Sequence, residues 1–598
     1  MDNLNSSEIK MELFNDSGES SDSDIGAEDI PSDYLLLDYS SGSGEEFVYD
    51  FDEPETSDRE DISNYDSHTM NNTPPNNIPP HDPWIRVYPP EPEIDIGPNF
   101  KVSHPGPRNV PPRNSPPLAY ALLFFTDDFW TTIVNETNAY AHKILANKRD
   151  SPSMKRFSRI KKWVDVSINE MKKFFTILIN MGLNVESQKP RRSFWDTRRS
   201  QHNPFFSQTM NVNRFESILS NFYLTSKKLV CKDQPGYDPW IKVRYFLDHF
   251  NSVFKKFFHP WQNISIDESL IGMKNRCPFI MYMPNKKHKQ YGIKKFECCD
   301  SLTNYVYHIE LYSGKDYTTV AGVDIPFTER VILEVMEKSS LIDKGHHLFT
   351  DNFYTKVPLA TKLFNRNTYL SGIINKRSTF LPETVMKAKL PPKESLYFRQ
   401  GNVLIINFRQ AITRKPVFLI STATHAEDIM VWSKKSKVVG VKPVVINKYN
   451  QFIGGVNVSD KQAYHNSCNR RTSKYWKKIF FNVIDIALFN AFVLYKLNTD
   501  KPISRRDFII SIVESLAPTE EVPSHGPGTI GDGSHKLEKL PNKHERKCEI
   551  CKPLKKRARS SYWCPGCNCG IHRECFHKLE HFWKPSRRRA PNCRSEPD

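Results

Sequence analysis

The sequence predicts a multidomain protein. A disordered acidic N-terminus precedes an α-helical block, an α/β domain with a β-rich insertion, and a small C-terminal zinc module. Three observations carry this. First, residues 1–70 hold 21 Asp and Glu but only 2 Lys and Arg, so the rest of the chain carries about +35 beneath an overall formal charge of +16. Second, the apolar pattern changes near Ile264 from helical spacing to short β-branched and aromatic runs. Third, of 12 cysteines in 598 residues, seven fall between Cys548 and Cys593.

The acidic segment is Ser-rich, and "SGESSDSD" places Ser21 in a context suited to phosphorylation. Such a composition buries too little apolar surface to offset its ordering entropy. Residues 71–117 are Pro-rich and read as an extended linker, so residues 1–117 form one N-terminal region. "MDNLNSSEIKMELF" has no apolar core of signal-peptide length, so secretion is not expected.

Order is expected from residue 118. "LAYALLFFTDDFWTTIVNETNAYAHKILANK" has apolar residues at helical spacing, with Thr126-Asp127-Asp128 as a cap. Ser167 and Glu170 are spaced as a capping box before "MKKFFTILINMGL". "NVNRFESILSNFYL" and "VRYFLDHFNSVFKKFF" complete an all-α block over 118–260. Strands follow in "NISIDESLIGM", "YGIKKFECCDS", "NYVYHIELYSG" and "HHLFTDNFYT". "TERVILEVMEKSSLIDKG" reads as a helix ending at Gly345, "VPLATKLFNRN" as another helix, and "TYLSGIINK" as a strand. Further strands fall within 377–440. The β-branched run "KPVVINKYNQF" then leads through a Gly-Gly turn into "GGVNVSD". Helices return over 474–516, including the apolar "IFFNVIDIALFNAFVLY". That run contains Asn482, Asp485 and Asn490 and is short for a bilayer span, so a buried helix is expected and no membrane partner. A Pro/Gly/Ser-rich linker occupies 517–543, and the Cys/His-rich region 544–598 closes the chain.

A folded body this basic points to a polyanionic partner, most simply double-stranded DNA; the bland alternative is a solvated basic surface. Asp267 and Asp351 stand at the ends of expected strands, where side chains of an α/β sheet converge on ligands. Paired carboxylates there suit Mg²⁺, which takes hard oxygen ligands and assists phosphoryl transfer. Taken singly, each aspartate is equally a turn former. "RRTSKYWKK" supplies Arg470, Arg471, Lys474, Trp476 and Lys477 for DNA contact, or a core aromatic beside a solvated basic face.

Cys548-x2-Cys551, twelve residues, then Cys564-x2-Cys567 is zinc-site spacing. His572, Cys575 and His581 follow and close either one site or two interleaved sites. A pair of interleaved sites needs an eighth ligand, for which His544, Cys569, His577 and Cys593 compete. The basic run containing Lys555, Lys556, Arg557 and Arg559 suits nuclear import or phosphate binding.

"SIDESLIGMKNR", "MYMPNKKHKQYGIKKFECCDSLTNYVYHIELYSGK", "FTDNFYT", "YNQFIGGVNVSD" and "RRTSKYWKKIFFNVIDIALFNAFVLYK" occur in one order ahead of the Cys/His cluster. Together they resemble the piggyBac family of DNA transposases over residues 118–583. The resemblance implies an RNase H-like catalytic domain over 261–473, with an insertion at about 377–440. It implies an α-helical dimerisation and DNA-binding domain from 118–260 and 474–516, hence a homodimer. It also implies a cross-brace zinc domain with two Zn²⁺ that binds transposon-end DNA. In that family carboxylates hold two Mg²⁺ for strand cleavage and insertion at TTAA; the matching positions are Asp267, Asp351 and Asp460. The family's third motif is Gly-Val-Asp-x-x-Asp, and here its first aspartate is Asn457. Losing one carboxylate leaves the charge of two Mg²⁺ less well matched.

The reading is therefore a nuclear DNA-binding protein of transposase descent with impaired cleavage. One alternative is an active transposase using Asp267, Asp351 and Asp460. Another is a chromatin-associated protein whose acidic tail and zinc module recruit chromatin or transcription partners.

Overall fold

The computed structural model describes residues 83–149, 159–184, 190–228, 230–231, 234–274, 277–283, 291–314, 325–433, 438–517, 537–540, 544–548, 551, 559–564 and 569–578. The acidic region 1–70, Lys555, Lys556, Arg557, Cys567 and His581 lie outside them. The chain divides into two units, Met1–Pro518 and Thr519–Asp598.

In the first unit Pro117 opens α1 (Pro117–Leu122), where a missing N–H costs nothing. Thr126 Oγ1 accepts the Phe129 N–H at 3.3 Å and starts α2 (Asp127–Arg149). Ser167 caps α3 (Ile168–Leu183) by accepting the Glu170 N–H at 3.2 Å. The Glu170 carboxylate pairs in two-pronged fashion with Arg214, so the other half of the expected capping box is diverted into an ion pair. Short α4 (Pro204–Thr209), α5 (Val212–Asn221) and α6 (Arg244–Phe257) follow. Their apolar stripes meet around Phe129, Phe175, Phe222, Phe250 and Phe480.

The strands are β1 (Ile85–Val87), β2 (Gly106–Pro107), β3 (Phe258–His259), β4 (Asn263–Gly272), β5 (Ile280–Tyr282), β6 (Tyr291–Asp300), β7 (Val306–Leu311), β8 (His347–Thr350), β9 (Tyr369–Ile373), β10 (Ser395–Gln400), β11 (Val403–Phe408) and β12 (Val417–Ser421). All but β2 and β3 join one ten-stranded sheet of order β1-β10-β11-β12-β9-β8-β4-β6-β5, with β7 also on β6. Its centre, β4-β8-β9, is parallel, and the flanking pairs are antiparallel. The strands within 377–440 extend this sheet through β12 and β9. Part of the Pro-rich stretch also joins it: β1 pairs with β10, and the Glu91 carboxylate clamps Arg399 at 3.0 and 2.7 Å. Proline tolerates such an edge position, where a donor is dispensable.

Helix α7 (Phe327–Lys338) stops well short of Gly345. Ser340 takes φ 56°, its N–H bonds Glu337 O at 2.8 Å, and Leu341 N–H bonds Met336 O at 3.1 Å. A serine here fills the left-handed closing position that the sequence reading gave to glycine. After α8 (Val357–Phe364) and α9 (Glu383–Lys387), strands β13 (Asp428–Ser433) and β14 (Val438–Pro443) form a separate hairpin. The β-branched run that follows is helix α10 (Val444–Phe452), because Val444, Val445, Ile446 and Tyr449 bury at helical spacing. Packing overrides strand propensity there. In place of a turn, Gly455 begins α11 (Gly455–Tyr464).

Helix α12 (Tyr475–Leu497) is long and apolar enough to cross a membrane but is almost wholly buried in the helical core, beside α13 (Arg505–Leu516). Asn490 and Asp485 of this helix have partners, while Asn482 Oδ1 is buried without one. Asn490 bonds Val306 N–H and O at 2.9 and 2.8 Å, while Asn251 of α6 does the same at Ile309 at 2.9 Å. Two asparagines thus satisfy the backbone of β7 and dock the helices on the sheet. Asp485 accepts from Ser467 Oγ at 2.6 Å and Cys468 N–H at 2.9 Å, and burial pushes its carboxyl up to about 6.

In the second unit, Tyr562–Cys564 pairs with Glu538–Lys539 and Cys569–Gly570, and Arg546–Lys547 pairs with Arg559–Ser560.

Candidate functional site: a carboxylate cluster and a metal centre

Parallel pairing of β4 and β8 sets Ser265 beside Phe349. Asp267 follows two residues later inside β4 and Asp351 just after the end of β8, and both carboxylates act on the Tyr354 phenol. Asp267 is 4% exposed, and its Oδ1 accepts the Glu268 N–H at 2.8 Å. Asp351 opens a turn in which its Oδ1 accepts the Asn352 N–H at 2.6 Å and its carbonyl accepts the Thr355 hydroxyl at 2.8 Å. That turn lies against Gly372 of β9, where a Cβ would meet Thr355 Oγ1 at 2.1 Å.

Helix α11 lies across β4 and β6. A Cβ on Gly455 would come within 2.5 Å of Ser265 Oγ and 3.1 Å of Cys299 Cβ, so glycine permits this approach. Asn457 and Asp460, three residues apart, share one face of the helix. Asp460 acts electrostatically on Glu297, the residue paired with Asp267 across β4 and β6. The third sequence motif therefore approaches the first through α11.

Sequence reasoning missed four residues here. Lys295 and Glu297, alternate residues of β6, form an ion pair in which both side chains are 0% exposed. Burial pushes the Glu297 carboxyl up, Lys295 pulls it down, and Asp460 raises it. On the opposite face, the Tyr354 hydroxyl donates to Glu268 Oε2 at 2.6 Å. Burial, followed by the Glu268, Asp267 and Asp351 carboxylates, pushes that phenol well above its usual range. The available signal was the alternation in "KKFE", which sets Lys295 and Glu297 on one strand face.

These carboxylates do not form a ready divalent-metal site. Among the described residues, Asp267, Asp351 and Asp460 do not bring their oxygens within 4.8 Å of one another as a set. The Lys295 ammonium also already sits in the cluster.

The second unit does hold such a group. Ligand atoms of Cys548, Cys551, His572 and Cys575 lie within 4.8 Å of one another. Cys551 Sγ is 3.5 Å from His572 Nδ1 and 3.6 Å from Cys575 Sγ. Tetrahedral zinc, with bonds of about 2.0–2.3 Å, requires spacings of this size. His572 Nε2 lies 3.1 Å from Arg559 O, which fixes the tautomer that frees Nδ1 for a metal. The set takes the first Cys-x2-Cys pair and skips Cys564, which is buried nearby.

Of the basic segment, Arg471 and Lys474 are exposed and Arg470 is half-buried. Trp476 is 6% exposed, edge-on to Tyr223 at 5.6 Å and stacked on Phe222 at 6.4 Å. Lys477 is buried and donates to Leu219 O at 2.8 Å. Both secure α12 to α5 and the segment after it, which is the packing role that the sequence offered beside DNA contact. Trp476→Ala should destabilise the protein by about 3–5 kcal/mol in denaturant unfolding. Arg471→Ala with Lys474→Ala should leave the unfolding midpoint in place.

The transposase IS4 family matches residues 117–492. PiggyBac transposable element-derived protein 3 of Homo sapiens is 24% identical over 433 residues, covering 68% of this chain and 69% of its own. PiggyBac transposable element-derived protein 5 of Homo sapiens is 25% identical over 442 residues, covering 69% and 79%. A cryo-EM structure of the piggyBac transposase synaptic complex with hairpin DNA matches with a TM-score of 0.62 at 24% identity. It covers 79% of this chain and 98% of that one.

Proposed function

Because this chain belongs to the piggyBac-type transposase family, we propose that it is a transposase-derived DNA-binding protein whose strand cleavage is impaired. The observation that carries the reading is α11, which rests on β4 and presents Asp460 together with an amide, Asn457, where a third carboxylate is expected. In this reading the sheet centred on parallel β4, β8 and β9 is the RNase H-like catalytic unit. Asp267, Asp351 and Asp460 are the inherited metal ligands. The helical core would serve dimerisation and DNA binding, as a homodimer.

Contact with DNA is electrostatic in the first instance. Beyond residue 70 the chain carries about +35, and Arg471 and Lys474 stand exposed ahead of α12. Zinc on Cys548, Cys551, His572 and Cys575 would stabilise the second unit. A second ion on Cys564, Cys567 and His581 with an eighth ligand would complete a cross-brace, since the observed set leaves Cys564 out. The run containing Lys555, Lys556, Arg557 and Arg559 supports a nuclear location.

The test is DNA affinity of the full chain against salt. Affinity should fall steeply as salt rises, and Arg471→Ala with Lys474→Ala should reduce the logarithmic slope by about 1–2. A salt-independent affinity would instead favour a protein-recruiting role.

A further inference from the structure

Beneath α11, the cluster holds a cation supplied by the chain itself. Pairing of β4 with β6 sets Glu297 opposite Asp267 and Lys295 opposite Ser269. All four residues lie on the sheet face that carries Ser265, against which Gly455 packs. Lys295 and Glu297 are fully enclosed, and Lys295 Nζ contacts only one oxygen of Glu297, Oε1. The hydroxyls of Ser265 and Ser269 are buried beside them without a hydrogen-bond partner, and the Ser459 hydroxyl of α11 faces the Glu297 carboxylate and holds its pKa down. This pocket is polar and under-satisfied, which an apolar core pairing would not leave.

Two charges taken out of water cost several kcal/mol each, and attraction repays this only where the surroundings demand it. Here they do. Asp267 stands opposite Glu297 on β4 and Asp460 acts on it from α11, and three carboxylates gathered between sheet and helix repel one another unless a positive charge stands among them. In an active metal-dependent site the ion supplies that charge.

We propose that Lys295 is the resident counter-ion of the Asp267–Glu297–Asp460 cluster, doing by ammonium what a divalent ion would otherwise do and competing with one for the site. The inference rests on reading these carboxylates as an inherited metal site. It adds to the loss at Asn457 a second, independent reason for weak metal binding. It also makes Glu297 a ligand held in reserve: once Lys295 is removed, Glu297 loses the cation that favours its anion and becomes a carboxyl, opposite Asp267, that a divalent ion can deprotonate and bind.

The test uses the zinc-saturated full chain and Mn²⁺ as probe, titrated by electron paramagnetic resonance and by thermal unfolding with and without Mn²⁺. Lys295→Met should bind Mn²⁺ at least tenfold more tightly than wild type. It should melt lower in chelator and regain the loss when Mn²⁺ is added. Lys295→Met with Glu297→Gln should fold, because the buried ion pair is removed as a whole and not broken, and should show no gain in affinity. Three outcomes overturn the inference: unchanged Mn²⁺ affinity in Lys295→Met, an equal gain in the double variant, or a Lys295→Met chain that Mn²⁺ does not stabilise. Asn457→Asp, titrated alongside, separates the two readings. If it tightens Mn²⁺ binding and Lys295→Met does not, only the counter-ion role fails. If neither tightens binding, the inherited metal site fails with it.

Discussion

Cys551→Ser should release zinc and unfold the C-terminal unit while the helical and sheet unit keeps its melting temperature. Among its described residues the second unit has a very small core, chiefly Cys548, Cys564 and Ile571 with Leu537 and Phe576 against them. A core of that size cannot offset the chain entropy of the segments it joins. Structural zinc in comparable small units contributes an apparent 10–16 kcal/mol at neutral pH, roughly the whole folding free energy. In the ion-free geometry, burial and the neighbouring thiols push the Cys575 thiol up to about 11, and a bound cation reverses that balance. Elemental analysis of the wild-type full chain should find about two zinc ions, one for the observed set and one for the proposed cross-brace partner. Cys551→Ser should lose at least one, and limited proteolysis should then cut beyond Pro518. A wild-type chain free of zinc would end this account of the unit. A value near one would remove only the second site.

Asn457→Asp should raise divalent-metal affinity and increase nicking of a piggyBac-type end substrate at least tenfold. The substitution restores a charge with almost no change in volume, and Asn457 is only half-buried on α11, so packing should tolerate it. A tenfold rate increase needs only about 1.4 kcal/mol of transition-state stabilisation, a small demand for a restored carboxylate near the ions. Asp351→Ala in that background should abolish the gain, because Asp351 follows β8, the parallel neighbour of β4, and its carboxylate and that of Asp267 act on one phenol, Tyr354. Persistence of the gain in the double variant would place the new activity elsewhere.

Much of this site was legible in the sequence, and the exceptions share one cause. Asp351 could be placed at a strand end because "HHLFTD" is a short run whose period is visible locally, whereas Asp267, expected to end "NISID", lies inside β4, which runs on to Gly272. The Asn457–Asp460 pair was found through a motif match, but its setting was misread. "VVINKYNQF" is β-branched and becomes helical only because Val444, Val445, Ile446 and Tyr449 find a core to enter. Trp476 and Lys477 looked equally suited to phosphates or to packing, and the packing role shows only through contacts with Phe222 and Leu219, more than two hundred residues earlier. The Lys295–Glu297 pair was hidden for the same reason. Two charges at alternate strand positions usually mark a solvent face, and here α11 covers that face from far along the chain. In the zinc unit, spacing picked out ligand pairs, but only the fold could join the first pair to His572 and Cys575.

Binding and cutting measured on one piggyBac-type end duplex, with wild-type protein in Mg²⁺, test the central claim most directly. The account predicts retained, salt-sensitive binding with little or no nicking. Robust wild-type nicking that disappears in Asp267→Ala, Asp351→Ala and Asp460→Ala would contradict it, by showing that an amide at Asn457 and the Lys295 ammonium leave the catalytic site working.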